Sequence, residues 1–255
     1  MKVVEIVFSP TGGTQKVADI IVEGWGKPVN LIDLTDAKTD FSNVSLEKDD
    51  IVLIAVPSYG GRVPKLAAQR IAKVQGNHAR CVIVCTYGNR AYEDTLVELN
   101  DIAEQCGFQI VAAISAIAEH SIMHQYATGR PDSKDRGELD RFAKKILGKI
   151  SSRKFDASLL QIPGNRPYKK AGGAGLVPKA DGNCISCGLC AEKCPSQAIN
   201  KENPKTADSK KCISCMRCIS QCPKSARKVN GIMVSIVSLV IKKACSERKE
   251  NELFI

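Results

Sequence analysis

The residues best equipped for chemistry in this chain are its cysteines. Cys184-x2-Cys187-x2-Cys190-x3-Cys194-Pro195 recurs as Cys212-x2-Cys215-x2-Cys218-x3-Cys222-Pro223, each position offset by 28 residues. Three thiolates with two residues between each pair can wrap a loop round one corner of an iron–sulfur cubane, each taking a different iron. The fourth lies too far along the turn for that corner. Structural zinc prefers two separated cysteine pairs with a longer spacer. Disulfides do not suit a chain that begins without a secretory signal.

Both runs match, without a gap, the ligand run of two-cluster bacterial ferredoxins, which the segment near 178–230 resembles. That resemblance implies two 4Fe–4S clusters. Cys184, Cys187, Cys190 and Cys222 would hold one, and Cys212, Cys215, Cys218 and Cys194 the other. Pro195 and Pro223 would turn the chain away after each fourth ligand.

A second chemistry sits near the N-terminus. Ser9-Pro10-Thr11-Gly12-Gly13-Thr14 joins an apolar run to a helical pattern. Such a turn offers unpaired amides and the positive end of a helix dipole to an anion, and its hydroxyls add donors. It lacks the lysine of nucleotide-hydrolase loops and the glycine spacing of dinucleotide folds. Its plainer reading is a helix cap, with Thr14 as the N-cap. The loop resembles the FMN-phosphate loop of flavodoxin. Two further loops carry the resemblance: Pro57-Ser58-Tyr59-Gly60, continuing to Pro64, and Thr86-Tyr87-Gly88-Asn89, continuing to Tyr92. They resemble the two isoalloxazine loops, which implies FMN as cofactor. Tyr59 and Tyr87 are the candidates to stack on the ring, the alternative being packing at the loop base.

The elements that must position these loops alternate. Strand-like runs at Lys2–Phe8, Val29–Leu34, Ile51–Val56, Cys81–Cys85 and Gln109–Ile114 interleave with helical patterns at Leu66–Val74, Leu96–Cys106 and Leu139–Ile150. This predicts an α/β fold, a flavodoxin-like doubly wound five-stranded parallel sheet, followed by a small α+β two-cluster ferredoxin domain. The expected division is 1–155, a linker over 156–177 that includes the glycine-rich Ala171–Gly175, the cluster domain over 178–230, and a docking helix and tail over 231–255. The stripe Ile232, Ile236, Leu239 and Val240 is the expected docking face.

The remaining candidates carry less. His120 and His124 would share a helical face without a third ligand nearby, so capping or a flavin-edge role, with Glu119, outweighs metal binding. Cys81 and Cys85 are separated by about 13 Å along one strand, beyond disulfide reach. With Cys106 they read as small buried hydrophobes, and Cys245 reads as a surface or packing thiol.

Composition sets the outer bounds. The 255 residues carry 37 Lys+Arg against 27 Asp+Glu, a net charge of +10, all of it in residues 164–255. The longest apolar run, Ile232 to Ile241, is half the length a membrane span needs. The basic residues are scattered without base-stacking aromatics, which excludes a nucleic-acid binder. The expectation is a soluble, cytoplasmic electron-transfer protein that converts between one-electron and two-electron partners. The alternative is an oxidoreductase reducing a small substrate, such as a quinone, at the flavin. With no nicotinamide site visible, the expected partner is a redox protein, such as an acidic ferredoxin or a flavin-reducing enzyme.

Overall fold

The computed structural model describes residues 2–151, 160–172 and 175–255. Five strands form the centre: β1 (Val3–Val7), β2 (Val29–Asp33), β3 (Ile51–Pro57), β4 (Arg80–Tyr87) and β5 (Gln109–Ile117). They run parallel in the order β2-β1-β3-β4-β5. This is the flavodoxin-like doubly wound order, and its reversal between β1 and β3 places their following loops side by side.

Continuous runs of β-branched residues bury both faces of the strands. On one face, Val4, Ile6, Val52 and Ile54 pack with helices α2 (Lys65–Ile71) and α3 (Thr95–Gln105), through Ala67, Ile71, Leu96 and Leu99. On the other, Val3, Val7, Ile51 and Leu53 meet α1 (Gly13–Glu23) and α4 (Ser133–Ser151), through Val17, Ile21, Leu139 and Ile146. The period-2 alternation of strand side chains sorts the two sets.

The second unit is small. Strands β6 (Lys179–Ala180) and β7 (Arg227–Lys228) pair antiparallel and flank two one-turn helices, α5 (Leu189–Glu192) and α6 (Arg217–Ser220). Its few buried apolar residues include Ala191, Ala198 and Ile199.

Two expectations change at the C-terminus. The sheet has six strands, because β8 (Glu252–Phe254) adds antiparallel to β5, with Ala113 opposite Phe254 and Ser115 opposite Glu252. Helix α7 (Gly231–Cys245) is capped by Asn230, whose side chain accepts from the amides of Ile232 and Met233. Its docking face differs: Ile232, Leu239 and Val240 are 74%, 70% and 78% exposed. The helix packs instead through Val234, Ile241 and Cys245 onto Ile122, Met123 and Tyr126, and the Tyr126 hydroxyl donates to the Ser238 carbonyl at 2.7 Å. Those four contact positions recur every three or four residues, so the inward stripe is real but rotated from the more apolar one.

The expected linker falls partly outside the described residues, which leave out 152–159 and 173–174. What is described is anchored. Asn165 and Lys169 donate backbone amides to Asp94 at 2.9 and 2.7 Å, and Arg62 stacks on Tyr168 at 4.8 Å.

Candidate functional site

The eight motif cysteines gather into two groups of four. Cys184, Cys187, Cys190 and Cys222 line one cavity of about 350 Å³. Cys194, Cys212, Cys215 and Cys218 line the other, of about 340 Å³. The two repeats reach this geometry by the same backbone. Left-handed φ occurs at Ser186 and Ser214 (54° and 53°), at Gly188 and Met216 (76° and 61°), and at Gln197 and Ser225 (51° and 48°). Each fourth cysteine accepts a backbone hydrogen bond at 3.3 Å, Cys194 from Ala198 and Cys222 from Ala226. Among the described residues no three ligating side chains converge as a single-ion site. The thiols surround open space instead, which fits a cubane better than one ion.

At the N-terminal loop, Gly12 rather than Thr14 is the N-cap of α1, with φ +91° and no side-chain cap bond. That conformation is open to glycine and strained for other residues. The Ser9 hydroxyl accepts from the Gln15 amide at 2.9 Å, and the Thr14 and Thr86 hydroxyls share a buried 2.7 Å hydrogen bond that ties this loop to the one after β4. Among the described residues, the amides of Thr11, Gly12, Gly13 and Thr14 have no protein acceptor. Four free amides at a helix start fit an anion.

The other two loops are partly taken up by the chain. Tyr87 ends β4, buried, its ring 5.3 Å from that of Tyr92, so it is packed at the loop base. Asn89, expected on the second flavin loop, instead holds the C-terminal segment. Its amide donates to the carbonyls of Cys245 and Glu247 and accepts from the Lys249 amide. A side chain at Gly60 would meet the Gly172 carbonyl at 2.7 Å, and one at Gly88 would meet His120 at 2.6 Å. Ser58 donates to or accepts from Thr95 at 2.7 Å.

Tyr59 is partly buried and stands apart from the other tyrosines. Burial first, and the neighbouring Cys215 second, push its phenol well above the ordinary tyrosine pKa. Thus the loop after β3 lies within electrostatic reach of the second group of cysteines.

The Nδ1 of His120 accepts from the amides of Ile122 and Met123, both at 3.2 Å, and burial lowers its pKa to about 4. His124 pairs with Glu119 at 2.7 Å. Cys81 and Cys85 are fully buried in the sheet, and Cys245 is buried on the inward face of α7 against Met123 and Tyr126.

Three arginines escaped the sequence reading. Arg217, inside the second cysteine run, points its Nη1 at the carbonyls of Ser9 and Pro10, each at 3.4 Å, with Asp33 at 3.8 Å. Its Nε is buried without a partner among the described residues. Arg217 thus brings a positive group to the carbonyls that precede the four free amides. Arg70, on α2, donates to the Pro195 carbonyl at 2.8 Å and bridges the two units. Arg227 is buried in the cysteine unit itself. Its sequence signal is a break in the repeat, since Ile199 holds the corresponding place 28 residues earlier.

Residues 183–227 match the 4Fe-4S dicluster domain family. No curated protein sequence matches the chain. Among solved structures, an archaeal flavodoxin is 14% identical at TM-score 0.44, covering 59% of this chain and 99% of that one. The two-electron reduced flavodoxin of Megasphaera elsdenii is 20% identical at TM-score 0.38, covering 55% and 98%. The rubredoxin oxygen:oxidoreductase of Desulfovibrio gigas is 16% identical at TM-score 0.44, covering 60% of this chain; this chain spans 36% of that one. The fold assignment itself rests on strand order and parallel register. The chain therefore joins a flavodoxin-like α/β domain to a 4Fe–4S dicluster ferredoxin domain, the architecture of a redox electron-transfer or oxidoreductase protein.

Proposed function

We propose that this chain is an electron-transfer protein exchanging electrons between two 4Fe–4S clusters and FMN, and so converting between one-electron and two-electron partners. In this reading Cys184, Cys187, Cys190 and Cys222 hold one cluster, and Cys194, Cys212, Cys215 and Cys218 the other. The amides of Thr11 to Thr14 and the hydroxyls of Ser9 and Thr11 hold the phosphate. Arg217 supplies the positive charge that the phosphate loop lacks. Pro57 to Gly60 flank the ring, with Tyr59 as the stacking candidate, while Thr86 and Gly88 support it from the neighbouring loop.

One observation carries the reading: Arg217, inside the run Cys212–Cys218, reaches the Ser9 and Pro10 carbonyls of the first strand loop, with Cys215 within electrostatic reach of Tyr59 on the loop after β3. The other cavity contains the exposed Cys187 and Ile185, which suits contact with a redox protein partner. No helix among the described residues is long and apolar enough to cross a membrane. Eight ligand thiols suit the reducing cytoplasm.

Anaerobic purification with iron, sulfide and flavin analysis tests this. About eight irons and one FMN per chain are expected. An iron content near four removes one cluster. Failure to bind FMN on reconstitution leaves a ferredoxin on a flavodoxin-shaped scaffold. Quinone reduction that saturates with quinone would assign an oxidoreductase instead of a carrier.

A further inference from the structure

Arg227 stands in the second repeat where Ile199 stands in the first. The two side chains leave the backbone at equivalent points, each one residue after the alanine whose amide donates to the fourth cysteine. Ile199 lines the cavity of Cys194, Cys212, Cys215 and Cys218, an apolar residue in an apolar wall. Arg227 lines the other cavity and is 2% exposed. Its Nη1 donates to the Pro204 carbonyl and lies 3.6 Å from the Cys190 sulfur. Nη2 donates to the Pro178 carbonyl at 2.9 Å. The guanidinium also adjoins Cys218, which belongs to the second cavity. Its Nε has no partner among the described residues.

A guanidinium stays charged in a protein, and a buried charge without a counter-charge is strongly unfavourable. Two carbonyls solvate this one without neutralising it, and among the described residues no carboxylate pairs with it. The groups within reach that would become anions on binding a cluster are the sulfurs of Cys190 and Cys218, one from each group of four. Reduction adds one negative charge to a cluster in a low-dielectric setting, and a fixed cation there favours the reduced state.

We propose that Arg227 is a potential-setting residue shared by both clusters, raising the reduction potential of each. The proposal rests on the two-cluster reading above. A single buried cation between the two groups keeps both clusters reducible by a donor that would leave both oxidised if the position held an apolar residue, as position 199 does.

The test is an EPR-monitored redox titration of the full-length, anaerobically loaded protein and of Arg227→Ile, Arg227→Gln and Arg227→Lys, with iron counted first. Arg227→Ile restores the residue of the first repeat, and Arg227→Lys keeps the charge. In the two neutral variants, both clusters should shift toward the oxidised form at least tenfold, about 59 mV for a one-electron couple. Arg227→Lys should stay within about fivefold of wild type, or ~40 mV. The proposal is overturned if the loaded neutral variants keep wild-type potentials, if only one cluster moves, or if Arg227→Lys moves as far as Arg227→Ile. Should both neutral variants lose iron, the Lys variant decides by the same limit. A wild-type iron content near four would instead defeat the two-cluster reading, so the two failures are distinct.

Discussion

A phosphate loop without a cation of its own gains from one delivered by another part of the chain, and Arg217 is placed to do so at the Ser9 and Pro10 carbonyls. Arg217→Ala should weaken FMN binding about tenfold, ~1.4 kcal/mol. Riboflavin, which lacks the phosphate, should bind the variant as it binds wild type. Flavin fluorescence quenching reads both, and equal losses for the two ligands would rule out a phosphate role. Glu5 offers a pH test of the same strand. It is 3% exposed on β1 and accepts from Gln15 at 3.0 Å. Burial first and Asp19 second raise its pKa from 4.5 to about 7. The unfolded chain gives up this proton near pH 4.5 and the folded one only near 7. Glu5 therefore costs stability as pH rises through that window, and the cost is complete above it. Glu5→Gln should leave thermal stability unchanged below about pH 4 and raise it at pH 8, by on the order of 2 kcal/mol after allowing for solvent screening. A variant whose stability follows the wild-type pH profile would disprove this.

Among the elements, the strands and helices of the sheet were legible because each carries its own period. The continuous apolar runs of β1 and β3 and the stripes of α3 and α4 are local features of the sequence. Strand β8 was not legible: Glu252–Phe254 is three residues at the end of a charged tail. What makes it a strand is the open edge of β5, an unpaired ladder that accepts a partner of modest propensity. Asn251 secures the junction. Its carbonyl accepts from the Ile117 amide at 2.9 Å, and its amide donates to Asp135 and Glu138 at 3.0 and 2.8 Å. Asn251→Ala should cost about 2 kcal/mol, because the buried Ile117 amide loses its acceptor. Urea unfolding measures this, and a loss under about 0.5 kcal/mol would mean that β8 is not held there. The outward face of α7 shows the converse limit. Its apolar stripe was visible in the sequence, but which stripe faces inward followed from Met123 and Tyr126, more than a hundred residues away.

For the whole molecule, the +10 charge describes the chain without its cofactors. Two oxidised clusters with their thiolates would contribute about −4 and the flavin phosphate about −2, leaving roughly +4. That residue of charge favours an acidic partner. Electron exchange with an acidic ferredoxin should therefore slow about tenfold between ~0.01 and ~0.3 M ionic strength. Stopped-flow kinetics would show it, and a rate independent of salt would exclude electrostatic steering. The sequence by itself determined the two cysteine runs, the glycine- and hydroxyl-rich turn and the alternating strands, because each is encoded within a dozen residues. Only the tertiary structure decided that Cys215 lies beside Tyr59, that Arg217 reaches the first loop, that Tyr87 and Asn89 serve packing and anchoring, and that Arg227 sits between the cysteine groups. Most of those are contacts across 37 to 208 residues of chain, made by single side chains. No local spacing records such contacts, since they arise where separately encoded surfaces happen to be brought together by burial.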